Sequence, residues 1–151
     1  MEILFRTAES GDLEALIHLL ADDPLGTQRE DISHPINQRY VESFKAIRQD
    51  PNNQLIVATV ENRVIGMLQI TFIPYLTHIG TWRCQVEGVR IHKEYRGKGL
   101  GKMLLDYATQ EAKTKGCKII QLTSDKQRPD ALKFYTNLGF KATHEGFKKS
   151  I

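Results

Sequence analysis

Residues 89–102 have the sequence VRIHKEYRGKGLGK, in which an alternating strand pattern leads through glycines at every second position into a helix. Glycines permit positive φ angles and allow the backbone to approach a ligand closely. The free N–H groups of a helix's first turn then point at one anion, assisted by the helix dipole. The segment from residue 90 to residue 102 contains five cationic side chains and one acidic side chain, Glu94, so its net positive charge also suits an anion. We therefore predict a pyrophosphate cradle in this segment.

Two common phosphate-binding motifs do not fit these glycines. A Walker loop needs a glycine five residues before Gly101 and a hydroxyl after Lys102, but the chain has Arg96 and Met103 at those positions. A dinucleotide-binding G-x-G-x-x-G motif needs a glycine at position 102 or 104, where the chain has lysine and leucine. Neither motif accounts for the segment.

The hydrophobic periodicity around this segment alternates between extended and helical spacing. It predicts strands at residues 3–7, 55–61, 64–72, 82–92 and 119–123, and a last strand opened by Gly139 and Phe140. It predicts helices after Asp12, from near Pro35, over 100–115 and over 128–138. Residues 22–26 are expected to end the first helix, and residues 62–63 to form a hairpin turn. The order βααβββαβαβ indicates a layered α/β fold, with one domain spanning residues 1–151.

The composition is that of a globular domain with its own core. Of the 151 residues, 40% are hydrophobic, and the net charge is +3. The two cysteines form no CxxC or metal-ligand spacing, which predicts reduced thiols, a cytoplasmic location and no metal. The N-terminus has no basic segment followed by an apolar run, so no secretory signal is expected. Residues 64–82 lack charged side chains, but Pro74 and Gly80 interrupt them, which favours two strands over a membrane span.

Two motifs lie in order on either side of the predicted strand at 119–123. Arg96, Gly99 and Gly101 match the pattern Arg/Gln-x-x-Gly-x-Gly/Ala, and residues 131–140 match A-x-x-x-Y-x-x-x-G-F. With these motifs the chain resembles the GNAT superfamily of acyl-CoA-dependent N-acyltransferases, of which the opening residues 6–12 and the hairpin 57–66 are also typical. The resemblance implies the GNAT fold, with a central mixed, mostly antiparallel sheet of about six to seven strands flanked by four helices.

The resemblance also implies acetyl-CoA as the cosubstrate and a set of residues that bind it. Backbone groups of Val89 and Ile91 would pair with the pantetheine arm as an added strand, and a bulge that Gly88 accommodates would open the gap. Arg128 stands where many relatives have asparagine, and it could reach a phosphate or the pantetheine region. The predicted cofactor-binding set is Val89, Arg90, Ile91, Arg96, Gly97, Lys98, Gly99, Leu100, Gly101, Lys102 and Arg128.

The resemblance assigns Tyr135 as the general acid for the departing CoA thiolate. A phenol with a pKa of about 10 can donate to a thiolate whose acid has a pKa of about 8.5. By itself, Tyr135 could equally be a core tyrosine of an amphipathic helix. Glu87, predicted on the same strand face as Val89 and Ile91, is the candidate base, and burial would raise its pKa toward useful values. The alternative is an exposed glutamate or one paired with a neighbouring arginine; weaker base candidates are His78 and His92.

These predictions lead to an enzyme that transfers acetyl directly from acetyl-CoA to a primary amine of a small molecule or peptide. The alternatives are a non-catalytic acyl-CoA-binding or sensing domain, and a nucleic-acid-binding protein, which the lack of an aromatic stacking surface disfavours. The acceptor site would be shaped by residues 22–36 and 72–81. The four acidic residues within 22–31 either attract a cationic amine or are solvated loop charges. The apolar segment 72–76 could serve a homodimer, which the sequence does not decide.

Overall fold

The computed structural model describes all residues from 1 to 151 and contains a five-stranded mixed sheet. The strands are β1 (Leu4–Thr7), β2 (Asn53–Val60), β3 (Arg63–Pro74), β4 (Trp82–Ile91) and β5 (Ile119–Leu122). They lie side by side in sequence order; β1 to β4 are antiparallel, and β5 is parallel to β4. A parallel pair needs a crossover connection, which here is a helix.

Helices cover both faces of this sheet. They are α1 (Leu13–Ala21), α2 (Pro24–Arg29), α3 (Gln38–Gln49), α4 (Thr77–Gly80), α5 (Leu100–Lys115) and α6 (Ala131–Asn137). α1 and α3 pack on one face, and α5, which connects β4 to β5, packs on the other. α4 is a single turn between β3 and β4, in which His78 and Ile79 have positive φ angles. None of the helices combines the length and the apolar character that crossing a bilayer requires.

Each face of the sheet has its own hydrophobic core. On one face, Leu104 and Ala108 belong to the buried stripe of α5, which packs on β2, β3 and β4. On the other, Leu16 of α1 and Phe44 of α3 pack in a cluster with Val57 of β2. The helical spacing of the α5 stripe follows the sequence prediction. Because Leu104 is fully buried, its replacement by alanine would cost about 2–5 kcal/mol.

The predicted hairpin is present, and its turn lies one residue earlier than expected. Glu61 and Asn62 form the turn with φ angles of 49° and 66°. Two consecutive positive φ angles match the turn type whose twist suits a two-residue hairpin. Arg63 pairs with Val60 and is therefore the first residue of β3, not part of the turn.

The predicted end of the first helix at residues 22–26 is confirmed, because α1 ends at Ala21, but the same segment also starts a short helix that was not predicted. The Asp23 side chain accepts a hydrogen bond from Gly26 N–H at 2.5 Å and caps α2, and Pro24 is its first residue. Aspartate before proline is a helix-start signal as well as a turn signal. The next helix begins at Gln38, not near Pro35, because Asn37 accepts from the N–H of Arg39 at 3.0 Å and forms its cap.

The sheet has five strands, not six to seven, and there are six helices, not four. The expected last strand at Gly139 and Phe140 is absent, and residues 138–151 contain no regular element. Gly139 has a φ angle of 93°, and Phe140 N–H donates to Tyr135 O at 3.1 Å, so both residues complete the end of α6. The residues that follow are all exposed and mostly polar, and they lack the alternating apolar side chains of a strand.

Candidate active site

β4 and β5 separate at one end of the sheet. Their parallel pairing extends only as far as Val86 and Leu122, where β5 ends, whereas β4 continues to Ile91. Residues 87–91 therefore pair with β3 on one side and have an open edge on the other. The glycine loop follows directly and leads into α5, so this opening lies beside the predicted cradle.

A bulge in β4 lies within this opening. Between Glu87 and Arg90, two residues of β4 lie opposite a single residue of β3, Leu68. Gly88 has a φ angle of 63°, a left-handed conformation that glycine adopts without strain and that bulges of this kind use. The structure therefore contains a bulge at the position where the sequence could accommodate one.

The backbone groups of Val89 and Ile91 face the open edge. His92 N–H donates to a carbonyl of β3 at 2.8 Å. Along a strand, the backbone N–H and C=O groups of successive residues point toward opposite neighbouring strands, so those of Ile91 point away from β3. The carbonyl of Ile91 accepts from Arg96 Nε at 3.0 Å, and that of Val89 accepts from Arg90 Nη1 at 2.9 Å. Main-chain groups in this orientation are suited to a ligand that pairs with β4 as an added strand.

The glycine loop presents backbone donors that have no acceptor in the protein. None of the N–H groups of residues 96–102 donates a hydrogen bond within the chain. Gly97 and Gly99 have φ angles of 72° and 81°, and Gly99 precedes α5 without a side-chain cap. Unpaired N–H groups at the start of a long helix form an anion site, which the helix dipole strengthens.

Several of the cations near the loop already have partners. Arg96 Nη2 donates to the carbonyl of Asp22 at 3.1 Å and to its carboxylate at 3.3 Å, which joins the loop to the end of α1. Lys102 pairs with Asp106 at 2.6 Å, and Lys98 lies 5.6 Å from the centre of the Tyr95 ring. The capacity of the loop to hold an anion therefore rests mainly on its backbone.

Tyr135 lies on α6, partly buried between aromatic rings. Its ring centre is 5.0 Å from that of Phe134 and 5.8 Å from that of Phe140. Burial raises the pKa of the phenol, the charges of Arg90 and Arg128 oppose this, and the charge of Glu87 adds to it. The pKa is raised overall, so the phenol keeps its proton at neutral pH.

Two ion pairs connect α2 to the loop between β5 and α6. Arg128 pairs with Asp23, the cap of α2, and both side chains are largely buried. Arg29 at the end of α2 pairs with Asp125 at 2.7 Å. These pairs hold α2 against the loop that precedes Tyr135, so α2 forms one wall of the site.

Arg90 is a partly buried cation without an ion pair. Its only hydrogen bond runs from Nη1 to the carbonyl of Val89, and its Nε is buried without a partner. Burial and the neighbouring charge of Arg128 lower the pKa of Arg90, and the charges of Asp23 and Tyr135 act in the opposite direction. A partly buried cation without a counter-ion is costly, which points to an anionic partner outside the protein.

Glu87 lies on the opposite face from the one expected. Val86 and, past the bulge, Val89 and Ile91 all pack against the same core, whereas Glu87 is exposed on the other face. The extra residue at Gly88 shifts the alternation by one position, which sequence spacing alone cannot show. Glu87 is therefore not the buried carboxylate that was predicted, although its charge acts on the Tyr135 phenol.

The four acidic residues expected to attract a cationic amine or to be solvated are instead held by partners within the chain. Their partners are Arg96 for Asp22, Arg128 for Asp23, Tyr40 for Glu30, and Ser33 with Asn37 for Asp31. Arginines therefore compensate the charges of Asp22 and Asp23, whereas the partners of the other two carboxylates are uncharged.

Comparison with known proteins agrees with this geometry. The model of the Acetyltransferase (GNAT) family matches residues 13–140. The chain belongs to the GNAT acetyltransferase family. Aminoalkylphosphonate N-acetyltransferase of Salmonella typhimurium is 29% identical over 114 residues, which cover 76% of this chain and 73% of that protein. Glucosamine 6-phosphate N-acetyltransferase of Trypanosoma brucei brucei is 37% identical over 84 residues, 55% of this chain and 54% of that protein.

A solved structure resembles this GNAT chain over nearly its whole length. It is a crystal structure described as a transcriptional regulator from Bacillus halodurans C-125, with 53% sequence identity and a TM-score of 0.97. The match covers 99% of this chain and 100% of that chain.

The structure adds two residues that the sequence analysis did not place beside the predicted site. Asp23 was treated as a loop charge, although its position before Pro24 signals a helix cap. Phe134 packs so closely on Gly101 that a Cβ there would lie 2.9 Å from its ring, and no local signal in the sequence indicates this contact.

Proposed function

We propose that this GNAT protein transfers the acetyl group of acetyl-CoA directly to a primary amine. The observation that carries the proposal is the row of unpaired N–H groups over residues 96–102 beside the open edge of β4. The unpaired N–H groups suit the pyrophosphate of CoA, and the open strand edge suits its amide-bearing pantetheine arm. The thioester would then lie near the bulge, within reach of α6.

The reaction needs one attack and two proton transfers. The amine nitrogen attacks the thioester carbon, the C–S bond breaks, and the CoA sulfur leaves as a thiolate. Tyr135 donates its phenolic proton to that sulfur, a role suited to a phenol whose raised pKa keeps it protonated. The amine loses its proton to water or, through water, to Glu87, an exposed carboxylate of β4 whose charge acts on the Tyr135 phenol. The N–H of Val89, on the open edge, would meet the oxyanion.

A direct transfer is favoured because the chain offers no activated thiol. Cys84 and Cys117 are both buried, and burial raises the pKa of Cys84 to about 12. A thiol with such a pKa is almost entirely protonated at neutral pH and is a poor nucleophile. An acyl-enzyme route through cysteine is therefore disfavoured.

The acceptor is expected to carry an anionic group in addition to its amine. Arg90 lacks an ion-pair partner, and Arg128 lies near it beside Tyr135. A phosphonate or phosphate could accept hydrogen bonds from these guanidinium groups. Two relatives support this class, since their names specify an aminoalkylphosphonate and glucosamine 6-phosphate as acceptors.

The test combines acetyl-CoA titration with a CoA-release assay over pooled amines. We expect micromolar binding and amine-dependent release, with 2-aminoethylphosphonate turned over faster than ethylamine. Tyr135→Phe should lower kcat about 100-fold or more while acetyl-CoA affinity stays the same. Tyr107→Phe, on the far side of α5 against Phe5, is the matched control and should be active. Unchanged kcat in Tyr135→Phe would contradict the assigned role.

A second variant tests the acceptor class separately. Arg90→Gln should raise KM for the aminoalkylphosphonate about tenfold or more and leave KM for ethylamine unchanged. An equal effect on both amines would show that Arg90 does not select an anionic acceptor. That result would not contradict the proposed transfer of acetyl to an amine.

The second candidate function is a non-catalytic acyl-CoA sensor. The observation that favours it is the 53% identical relative described as a transcriptional regulator. Acetyl-CoA binding without release from any amine pool would support this candidate. Amine-dependent release that Tyr135→Phe abolishes would contradict it.

A further inference from the structure

We propose that Glu14, His18 and His34 form a binding site for a divalent transition-metal ion such as Zn²⁺. One ligand atom from each side chain lies within 4.8 Å of the other two. Two imidazoles and one carboxylate suit zinc, cobalt or nickel better than magnesium or calcium, which prefer oxygen ligands. All three side chains are exposed, and two of them belong to α1.

The distances between the ligand atoms fit one ion. Glu14 Oε1 is 3.2 Å from His34 Nε2 and 4.0 Å from His18 Nε2. Ligand atoms about 2.0–2.1 Å from a tetrahedral zinc ion lie about 3.3 Å from one another. The first pair is already near this separation. The His18 ring nitrogen lies within 4.8 Å of both other ligand atoms and must approach them for one ion to bind all three.

The backbone brings these three side chains together from two elements. Glu14 and His18 are four residues apart on α1, so they lie on the same face of that helix. His34 belongs to the loop between α2 and α3, which Asp31 organises. The Asp31 carboxylate accepts from Ser33 N–H at 2.9 Å and from the side chain of Asn37 at 3.1 Å. The loop around the third ligand is therefore held by its own hydrogen bonds.

An ordinary ion pair is the competing explanation for this cluster. All three side chains are more than half exposed, and ion pairs between exposed groups contribute little stability. A metal ion would instead cross-link α1 to the loop, with a coordination position left for water. That loop and α2 follow α1, which Arg96 joins to the glycine loop, so the ion would stiffen the acceptor side of the fold.

The test is calorimetric titration of Zn²⁺ into metal-free protein at neutral pH, without acetyl-CoA or an acceptor. We expect one site, and a rise in melting temperature that EDTA reverses. His18→Ala and His34→Ala should each weaken Zn²⁺ binding about tenfold or more. Both side chains are exposed, so the variants are expected to fold, which circular dichroism checks. His144→Ala, an exposed histidine near the C-terminus, is the matched control and should bind Zn²⁺ as the wild type does.

Co²⁺ provides a second measurement that does not depend on enzyme activity. Intense visible absorption bands from bound Co²⁺, lost in His34→Ala, would support a site of low coordination number. Equal Zn²⁺ affinity in the wild type and both histidine variants would overturn the proposal. So would a sulfur charge-transfer band, which would assign the ion to a cysteine, or a loss of binding in His144→Ala.

Discussion

Gly101→Ala should destabilise this protein although the family motif admits alanine at the same position. A Cβ at Gly101 would lie 2.9 Å from Phe134 Cζ and 3.3 Å from Cε1. Carbon atoms in normal contact are about 3.5–4.0 Å apart, so the ring must move by about 0.6 Å or more. Overpacking costs about 1–3 kcal/mol in a well-packed core, and the Phe134 ring, 36% exposed, places this contact toward the lower end of that range. Alanine in place of glycine in a helix gains about 0.5–1 kcal/mol. The steric cost exceeds the gain, and we expect a net loss of at most about 1 kcal/mol.

The same substitution should have the opposite sign once the ring is removed. In a Phe134→Ala background, the Cβ at Gly101 meets no ring, and only the helix-propensity gain of about 0.5–1 kcal/mol remains. The two substitutions should therefore be coupled by about 1–3 kcal/mol in a double-mutant cycle. Urea denaturation of the wild type, both single variants and the double variant measures this coupling.

Activity provides an independent measure of the same contact. Phe134 precedes Tyr135 on α6, and their ring centres are 5.0 Å apart. A displacement of the ring at Gly101 should therefore move the phenol of Tyr135, the proposed general acid. Misplacement of a catalytic group by about 1 Å can cost about 100-fold in rate. We expect Gly101→Ala to lower kcat about tenfold. A coupling energy below about 0.5 kcal/mol, with unchanged kcat, would refute this reasoning.

Three further predictions concern the thiols, the hairpin turn and acid stability. Cys84→Ala should keep full kcat. Burial raises the pKa of the Cys84 thiol to about 12, so this cysteine in the native protein should react slowly with a thiol reagent, and fast labelling would contradict this. Glu61→Asn should raise the free energy of unfolding by about 0.5–1 kcal/mol, since asparagine tolerates a positive φ angle better than glutamate does. Glu61→Ala is the control and should give no such gain in thermal melts. Burial raises the pKa of Asp23, but the Gly26 N–H and Arg128 outweigh it, so the pKa lies below its ordinary 3.8. The stabilisation from Asp23 should be present above about pH 4 and lost as the pH falls through the lowered pKa. Asp23→Asn should reduce the dependence of the melting temperature on pH between pH 2 and about 5. An unchanged dependence would contradict the stabilising role given to the Asp23 carboxylate.

Local chemistry in the sequence was sufficient for most of the elements. The strand before the glycine loop, α5 and the hairpin of β2 and β3 follow from periodicity and from turn or cap residues that act over a few positions. The glycine loop before α5 was also predictable, because backbone freedom and a helix start are local properties. Where two local signals compete, as in the aspartate and proline that begin α2, the sequence did not decide between a break and a helix.

The arrangement of the site required the tertiary structure. The bulge in β4 depends on how β3 pairs with it, and one extra residue moves Glu87 to the opposite face from Val89. The unpaired state of Arg90 and the contact of Phe134 on Gly101 depend on residues far apart in the chain. Glu14 and His18 share a helix face by spacing alone, but only the fold brings His34 to them. The sequence determines what each segment can form locally, whereas side-chain partners from distant segments are decided by packing, because one shift in register changes which groups meet.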